Sequence, residues 1–589
     1  MINTRNKFLM ASALALAVAS CGGGGGKSNK SVYPTPPASL KQAVSIVVLD
    51  ASTGTPIMAA VTVNAVGADA AKLKDSTDAG TPWNAAAGGG LVLTADSAIT
   101  DATLVFSAPG YFNNSISVAL KAGEMVNQTV SLSSTAGAAA AGITGAPVVT
   151  GTAGAAGLTA PLGTATPAAT GVAGADAILA GAKVEASIPA GTKLLDKDGN
   201  EITGSVKMDM ALFPNDANGE AEPGKSPLKS FPGGVNDVKP AGGSSGYFVS
   251  GGLTALELTG PGGEKVTDFA GGAVDVTTTV PQSTINPNTN AALADGDLLP
   301  IWSYDESTGE WTQEDADADP ATGQDGTAAT TGKTDGRVTC AVGATTCTVT
   351  MKATHLSYWN LDWFSSARCE GTVDVNVRDK DGNRVPDGWV RIELRRVGGG
   401  WSHETSVNGS SLEILNAPKN VPMEVIFFDA AGEQVYSKIE NNVCDMDNTT
   451  VNMPVTQPTF VKVVPKPQMV CYKEEDREKY KPVSVPAVLY VLDASSWSFI
   501  TYEYRAANST SALDLIKNRN YVIYAWTLEA VKDKDGHVVL PAYSWAMAGG
   551  EGEYHYYYTA TADGSVPLNF YVPCSEVTGT GTGGGSDGQ

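Results

Sequence analysis

Three groups of residues in this chain have the type and spacing to do chemistry. Asp315, Asp317 and Asp319 alternate along "EDADADP", with Asp325 further on. Alternating carboxylates offer hard oxygen ligands, so calcium is the one cofactor this loop suggests. Pro320 occupies the glycine slot of a calcium loop and the closing Glu is missing, which makes a solvated acidic loop the competing reading. "DKDG" stands at Asp196–Gly199, Asp379–Gly382 and Asp533–Gly536. Its glycine comes too early for an EF-hand, and Asp-Gly between alternating strands predicts a hairpin turn. Tyr554, Tyr556 and Tyr558 in "YHYYYTATA" share one face of an alternating strand. Such a row can stack on a polysaccharide or seat another protein, although most aromatics in a sandwich fill its core.

Familiar catalytic patterns fail on their surroundings. Gly242 to Gly246 reads G-x-S-x-G, but a nucleophile elbow needs a strand before it and a helix after it. Here a Pro/Gly stretch precedes and a strand-like run follows. The histidines are His355, His403, His537 and His555, and none has the spacing of a zinc peptidase. His355 is expected in a core or turn position, its ring bonded to backbone. No paired carboxylates stand at a catalytic spacing, so a non-enzymatic protein is expected.

Composition narrows the partners. The net charge is −23, from 39 basic and 62 acidic residues. Neutralising phosphates needs a basic surface, so nucleic acid is excluded as a partner. Beyond the first twenty residues no segment is apolar for the roughly 20 residues that a spanning helix needs. Six cysteines follow Cys21: Cys340, Cys347, Cys369, Cys444, Cys471 and Cys574. An even set in an exported chain reads as disulfides, and sequence leaves the connectivity open. Position along the chain favours Cys340 with Cys347 across a hairpin, Cys369 with Cys444, and Cys471 with Cys574.

Export is inferred from the start of the chain. Arg5 and Lys7 precede an apolar run, and Val18-Ala19-Ser20-Cys21 closes it. This resembles the lipobox of bacterial lipoproteins. The resemblance implies that residues 1–20 are a signal peptide and that Cys21 carries diacylglycerol and an N-acyl chain such as palmitate. Gly22 in place of Asp implies sorting to the outer membrane, which the lipid anchor makes a partner. The glycine run after Cys21 suits a flexible tether over 21–41.

The elements that must position these groups are strands throughout. Short Val/Ile/Thr/Tyr alternations separated by glycine turns predict an all-β chain of tandem sandwiches. "VSIVVLDASTGTPIMAAVTVNA" and "GTVDVNVRDKDGNRVPDGWVRIEL" share a pattern of strand, Asp, Gly, aliphatic, strand. The matching residues are Asp50, Gly54 and Ile57 in one, Asp379, Gly382 and Val385 in the other. Both units, 42–133 and 366–456, resemble the carboxypeptidase regulatory-like domain, an Ig-like or transthyretin-like β-sandwich. The "FSAPGYFNNSISVAL" turn of the first unit fits that resemblance.

Between them, 174–365 carries Gly296, Asp297, Pro300, Trp302, Tyr304, Asp305, Thr308, Gly309 and Trp311, then His355, Ser357, Trp359 and Asn360. That order resembles a β-rich module of secreted bacterial proteins and of cartilage intermediate layer proteins, and implies no catalytic set. The Ala/Gly/Thr/Pro-rich 134–173 is expected to be linker. The unit 457–577 is aromatic-rich and fits no named family, and 578–589 is expected to be a disordered tail. The functional expectation is an adhesive, scaffolding or binding lipoprotein of the envelope or cell surface. Its rival is a carbohydrate-binding accessory to a separate transporter or hydrolase.

Overall fold

A computed structural model describes residues 32–33, 42–75, 79–85, 90–121, 125–169, 180–215, 227–314, 336–385, 389–406, 411–414, 417–429, 433–471, 481–494, 499–527, 530–533, 538–540, 544–548 and 558–573. Strand makes up 56% of the structure and, among the described residues, no helix reaches seven residues, so the fold is all-β as the alternation predicted.

One seven-strand order occurs three times. In the first unit, Gln42–Asp50 lies between antiparallel Gly90–Ala95 and parallel Met125–Leu132. The facing sheet sets Val61–Val66 between Trp83–Ala85 and Ile99–Ser107, which pairs onward with Asn114–Leu120. In the second, Val373–Arg378 lies between antiparallel Ser411–Ile414 and parallel Thr449–Asn452. Val390–Arg396 sits between Ser402–Ser406 and Met423–Asp429, which continues to Gln434–Glu440. In the aromatic-rich unit, Phe460–Cys471 lies between antiparallel Leu513–Ile516 and parallel Gly564–Val572. Ala487–Asp493 sits between Phe499–Arg505 and Asn520–Trp526, which pairs with Trp545–Met547. The unit that fitted no family is thus a third copy of the strand order.

Alternation drives each sandwich. Val44, Ile46 and Val48 on one sheet meet Val63, Leu104 and Phe106 on the other, all buried. The first repeat closes a core of its own, as does the third. The middle module and the second repeat instead share one continuous core, from Ala138 to Met453.

The middle module sets Gly204–Pro214, Tyr247–Thr259, Tyr358–Ser365 and Ile301–Asp305 side by side. A second sheet is built from Lys183–Ile188, Val274–Pro281 and Thr346–Ala353. Within the stretch expected as linker, described residues 137–165 supply strands to these sheets, which corrects that expectation. Val149–Gly154 pairs with Gly204–Pro214, and Leu162–Ala165 with Lys183–Ile188. Small residues bury little side-chain surface. Their use is close backbone approach: a Cβ at Gly145 would sit 2.3 Å from the carbonyl carbon of Ala136.

Two disulfides fall where chain position put them. Cys340–Cys347 and Cys369–Cys444 are both bonded. Cys471 is disulfide-bonded as well, and Cys574 lies outside the described residues.

Candidate functional site

Two motifs singled out in separate units meet at one joint. The "PGYFNNS" turn, Pro109 to Ser115, leads into Asn114–Leu120 of the first repeat. Gly110 at φ +81° makes the tight bend, a conformation that side chains disfavour. Tyr111 Oη donates to Asp50 Oδ2 at 2.7 Å and ties the turn to its own repeat. Burial, with that bond, pushes the Tyr111 phenol up to about 12.

The next residues reach across. Phe112 enters the middle module's core and meets Phe213 edge-on, ring centroids 6.3 Å apart. The Asn113 backbone N–H donates to Tyr358 Oη at 2.9 Å, and its side chain donates to Glu306 Oε2 at 3.2 Å. Ser115 Oγ is 2.6 Å from Tyr304 Oη and accepts the Gly233 N–H at 2.8 Å.

On the other side of the joint, the two halves of the middle motif are strand neighbours. Trp302 pairs with Asn360 and Tyr304 with Tyr358. Trp302 Nε1 donates to the Asp362 carbonyl at 3.0 Å, and Ser357 Oγ accepts the Tyr304 N–H at 2.9 Å. Asp305 caps the hairpin turn, its carbonyl accepting the Gly309 N–H at 2.8 Å. Gly309 has φ +74°, and a Cβ there would lie 2.6 Å from Thr103 Oγ1 of the first repeat. Turn geometry and close approach both require glycine at this position.

A charged cluster sits under the joint. Lys265 Nζ lies 3.1 Å from Glu257 Oε1 and 3.8 Å from Glu306 Oε2, and Tyr358 Oη donates to Glu257 Oε1 at 2.7 Å. Burial, reinforced by the nearby Glu257 charge, pushes the Glu306 carboxyl up. Burial pulls the Lys265 ammonium down, but the two glutamates outweigh it and raise the group overall. At the rim, Lys239 bridges Asp101 of the first repeat at 2.9 Å and Glu310 of the hairpin at 3.1 Å. The Lys239 bond holds the Asp101 carboxyl below its usual range. Glu257 and Glu306 thus have Lys265, Tyr358 and Asn113 as partners. The arrangement fastens two units together.

His355 has a side-chain partner beside a backbone one. Its Nε2 lies 3.4 Å from Glu314 Oε1, the Leu356 backbone is a further hydrogen-bond partner, and its ring lies over Trp359 at 5.0 Å. The Glu314 bond raises the imidazole. Ser244 and Ser245 are exposed in a turn that runs into Tyr247–Thr259, so G-x-S-x-G here is a loop.

The remaining predicted groups are dispersed. In "DKDGN" at Asp196 and at Asp379, Oδ1 accepts backbone N–H groups two and four residues on, and Oδ2 accepts the asparagine amide. Those carboxylates close turns. Asp533 ends a described strand, and the rest of its "DKDG" lies outside the described residues. Tyr558 pairs with Tyr521 across the third repeat and is half-buried against its core. Tyr554, Tyr556, Cys21, Asp315, Asp317 and Asp319 lie outside the described residues. Among the described residues no three His, Cys, Asp or Glu side chains are grouped to hold a metal ion. Residue pattern carried no sign of Lys265, Glu257, Lys239 or Asp101, whose roles depend on the docking of two units.

No protein-family model matches the chain, and no curated protein is similar to it. Among solved structures, the TIE protein of Bacillus anthracis is 7% identical with a TM-score of 0.12, over 70% of this chain and 58% of its own. This chain therefore spans less than two thirds of that protein. The minor pilin of Streptococcus agalactiae is 9% identical with a TM-score of 0.13, over 34% of this chain and 96% of its own. The major pilin subunit of Bacillus cereus is 9% identical with a TM-score of 0.12, over 90% of this chain and 99% of its own. Likenesses at this level carry no functional argument.

Proposed function

We propose that this protein is a non-enzymatic outer-membrane lipoprotein whose sandwich units act as a stiff adhesive or scaffolding arm of the envelope. The carrying observation is the joint: Phe112, Asn113 and Ser115 fasten the first repeat to Phe213, Tyr358, Glu306 and Tyr304 of the middle module. Beyond it, the middle module and second repeat share a core. Buried joints of this kind hold relative position, as a spacer must, whereas tandem units without them move freely by default. Anchoring at Cys21 completes the reading, since several acyl chains hold where one is marginal.

The test is biotin labelling of intact cells, with Cys21→Ala as the control. Labelling that depends on Cys21 and needs no membrane opening supports display at the surface. Labelling only after the outer membrane is opened removes the adhesive role and leaves a periplasmic scaffold. Labelling independent of Cys21 overturns the lipid anchor.

A further inference from the structure

At a second joint, between the middle module and the second repeat, one buried guanidinium has no carboxylate beside it. The hairpin of Val390–Arg396 and Ser402–Ser406 pushes its glycine tip into the middle module, where the Ser250 N–H donates to the Gly400 carbonyl at 2.8 Å. Leu394 pairs with His403 and Arg395 with Ser402. Alternation therefore puts Arg396, Trp401 and His403 on one hairpin face and Arg395 on the other. Arg395 is matched by Glu393, 2.9 Å from its Nε.

Arg396 has no such match. It is 6% exposed, and its hydrogen bond goes to the Gly399 carbonyl at 3.1 Å. No carboxylate among the described residues forms an ion pair with it. Burial pulls its guanidinium down to about 10, which still leaves it charged at neutral pH. Trp401, 3% exposed, has an indole N–H with no acceptor. Buried Tyr247 lies within electrostatic reach of both Arg396 and Arg368. Arg368 donates to the Asn236 and Gly246 carbonyls and lies 3.5 Å from Asp237, while its Nε has no partner. Asn236 Nδ2 donates to the Ser402 carbonyl at 3.1 Å and lies 3.4 Å from His403 Nδ1. A buried cation without an anion is costly, and buried donors without acceptors add to that cost. Two guanidiniums and an indole N–H at one joint match the oxygens of an anion.

We propose that this joint is a binding site for a small oxyanion, a carboxylate or phosphate group, held by Arg396, Arg368 and the Trp401 indole N–H. The anion neutralises the joint and sets the second repeat against the middle module.

The full chain, dialysed into chloride, is titrated with inorganic phosphate and separately with acetate at constant ionic strength, and thermal unfolding is followed. The expected result is a melting temperature that rises and saturates with at least one anion. Trp401→Phe keeps the ring and removes one donor, so it weakens the apparent affinity about tenfold or more. Arg396→Met abolishes the saturable rise. A rise with neither anion, or an equal rise in wild type and Trp401→Phe, overturns the proposal; the latter is the general stabilisation by excluded salts. Trp401→Phe keeps the test decisive if Arg396→Met does not fold.

Discussion

The first and second repeats share a strand order but attach to the middle module from different corners. The first presents the turn between its fifth and sixth strands, and keeps a core of its own. The second presents the hairpin between its second and third strands, and its core runs into the middle module's. The aspartates after their first strands diverge accordingly. Asp50 Oδ2 takes the Tyr111 hydroxyl and so braces the docking turn. Asp379 Oδ2 takes Asn383 of its own loop, and its carboxyl also takes the Gln457 side chain, which lies beyond the last strand of its own repeat. One sandwich can thus be fastened by whichever loop acquires an apolar anchor. The rest of the framework needs no change.

This contrast can be broken first at Phe112, which is 1% exposed. Phe112→Ala should cost about 3–5 kcal/mol. Calorimetry should then split off a transition for the first repeat, while the second keeps unfolding with the middle module. Docking that survives unchanged would move the weight of the joint to its polar groups. Tyr358→Phe comes next: it strands the Asn113 N–H and removes a donor to Glu257, for about 1–3 kcal/mol. Chemical denaturation should show the loss for the first repeat's docking and spare the third repeat. Gly309→Ala should cost about 1–2 kcal/mol from its positive φ, plus the clash with Thr103. Limited proteolysis within the first repeat should quicken.

The smallest effect is a pH dependence at His355. The Glu314 bond raises its folded value, so its contribution is whole below the unfolded value of about 6.5 and fades as pH rises through the folded one. Partial exposure keeps it under about 1 kcal/mol. Denaturation of wild type and His355→Gln across that window should converge on the alkaline side. Parallel curves would mean that His355 does not titrate with folding.

The structure also marks where residue pattern stops being informative. Val44, Ile46 and Val48 stand two apart and so share one strand face, and that period needs only local chain geometry. The Cys340–Cys347 hairpin and the "DKDGN" turns are local for the same reason. Composition points to linker over 134–173 because it reports what side chains can bury and is blind to how closely backbones approach, as at Gly145. The third copy of the sandwich was hidden because it lacks the Asp-Gly-aliphatic signature. Its likeness lies in pairings such as Val463 with Gly564, about a hundred residues apart.

By itself the order of residues determined the all-β class, the turns and the hairpin that brings Cys340 to Cys347, since each depends on neighbours a few positions away. Tertiary structure alone decided which units dock, through which loop, and where charge is left uncompensated. Lys265 meets Glu306, and Asn113 meets both Glu306 and Tyr358, only after separate sheets have folded and closed on one another. The free energy of such contacts comes from removing water between surfaces whose adjacency no local pattern encodes.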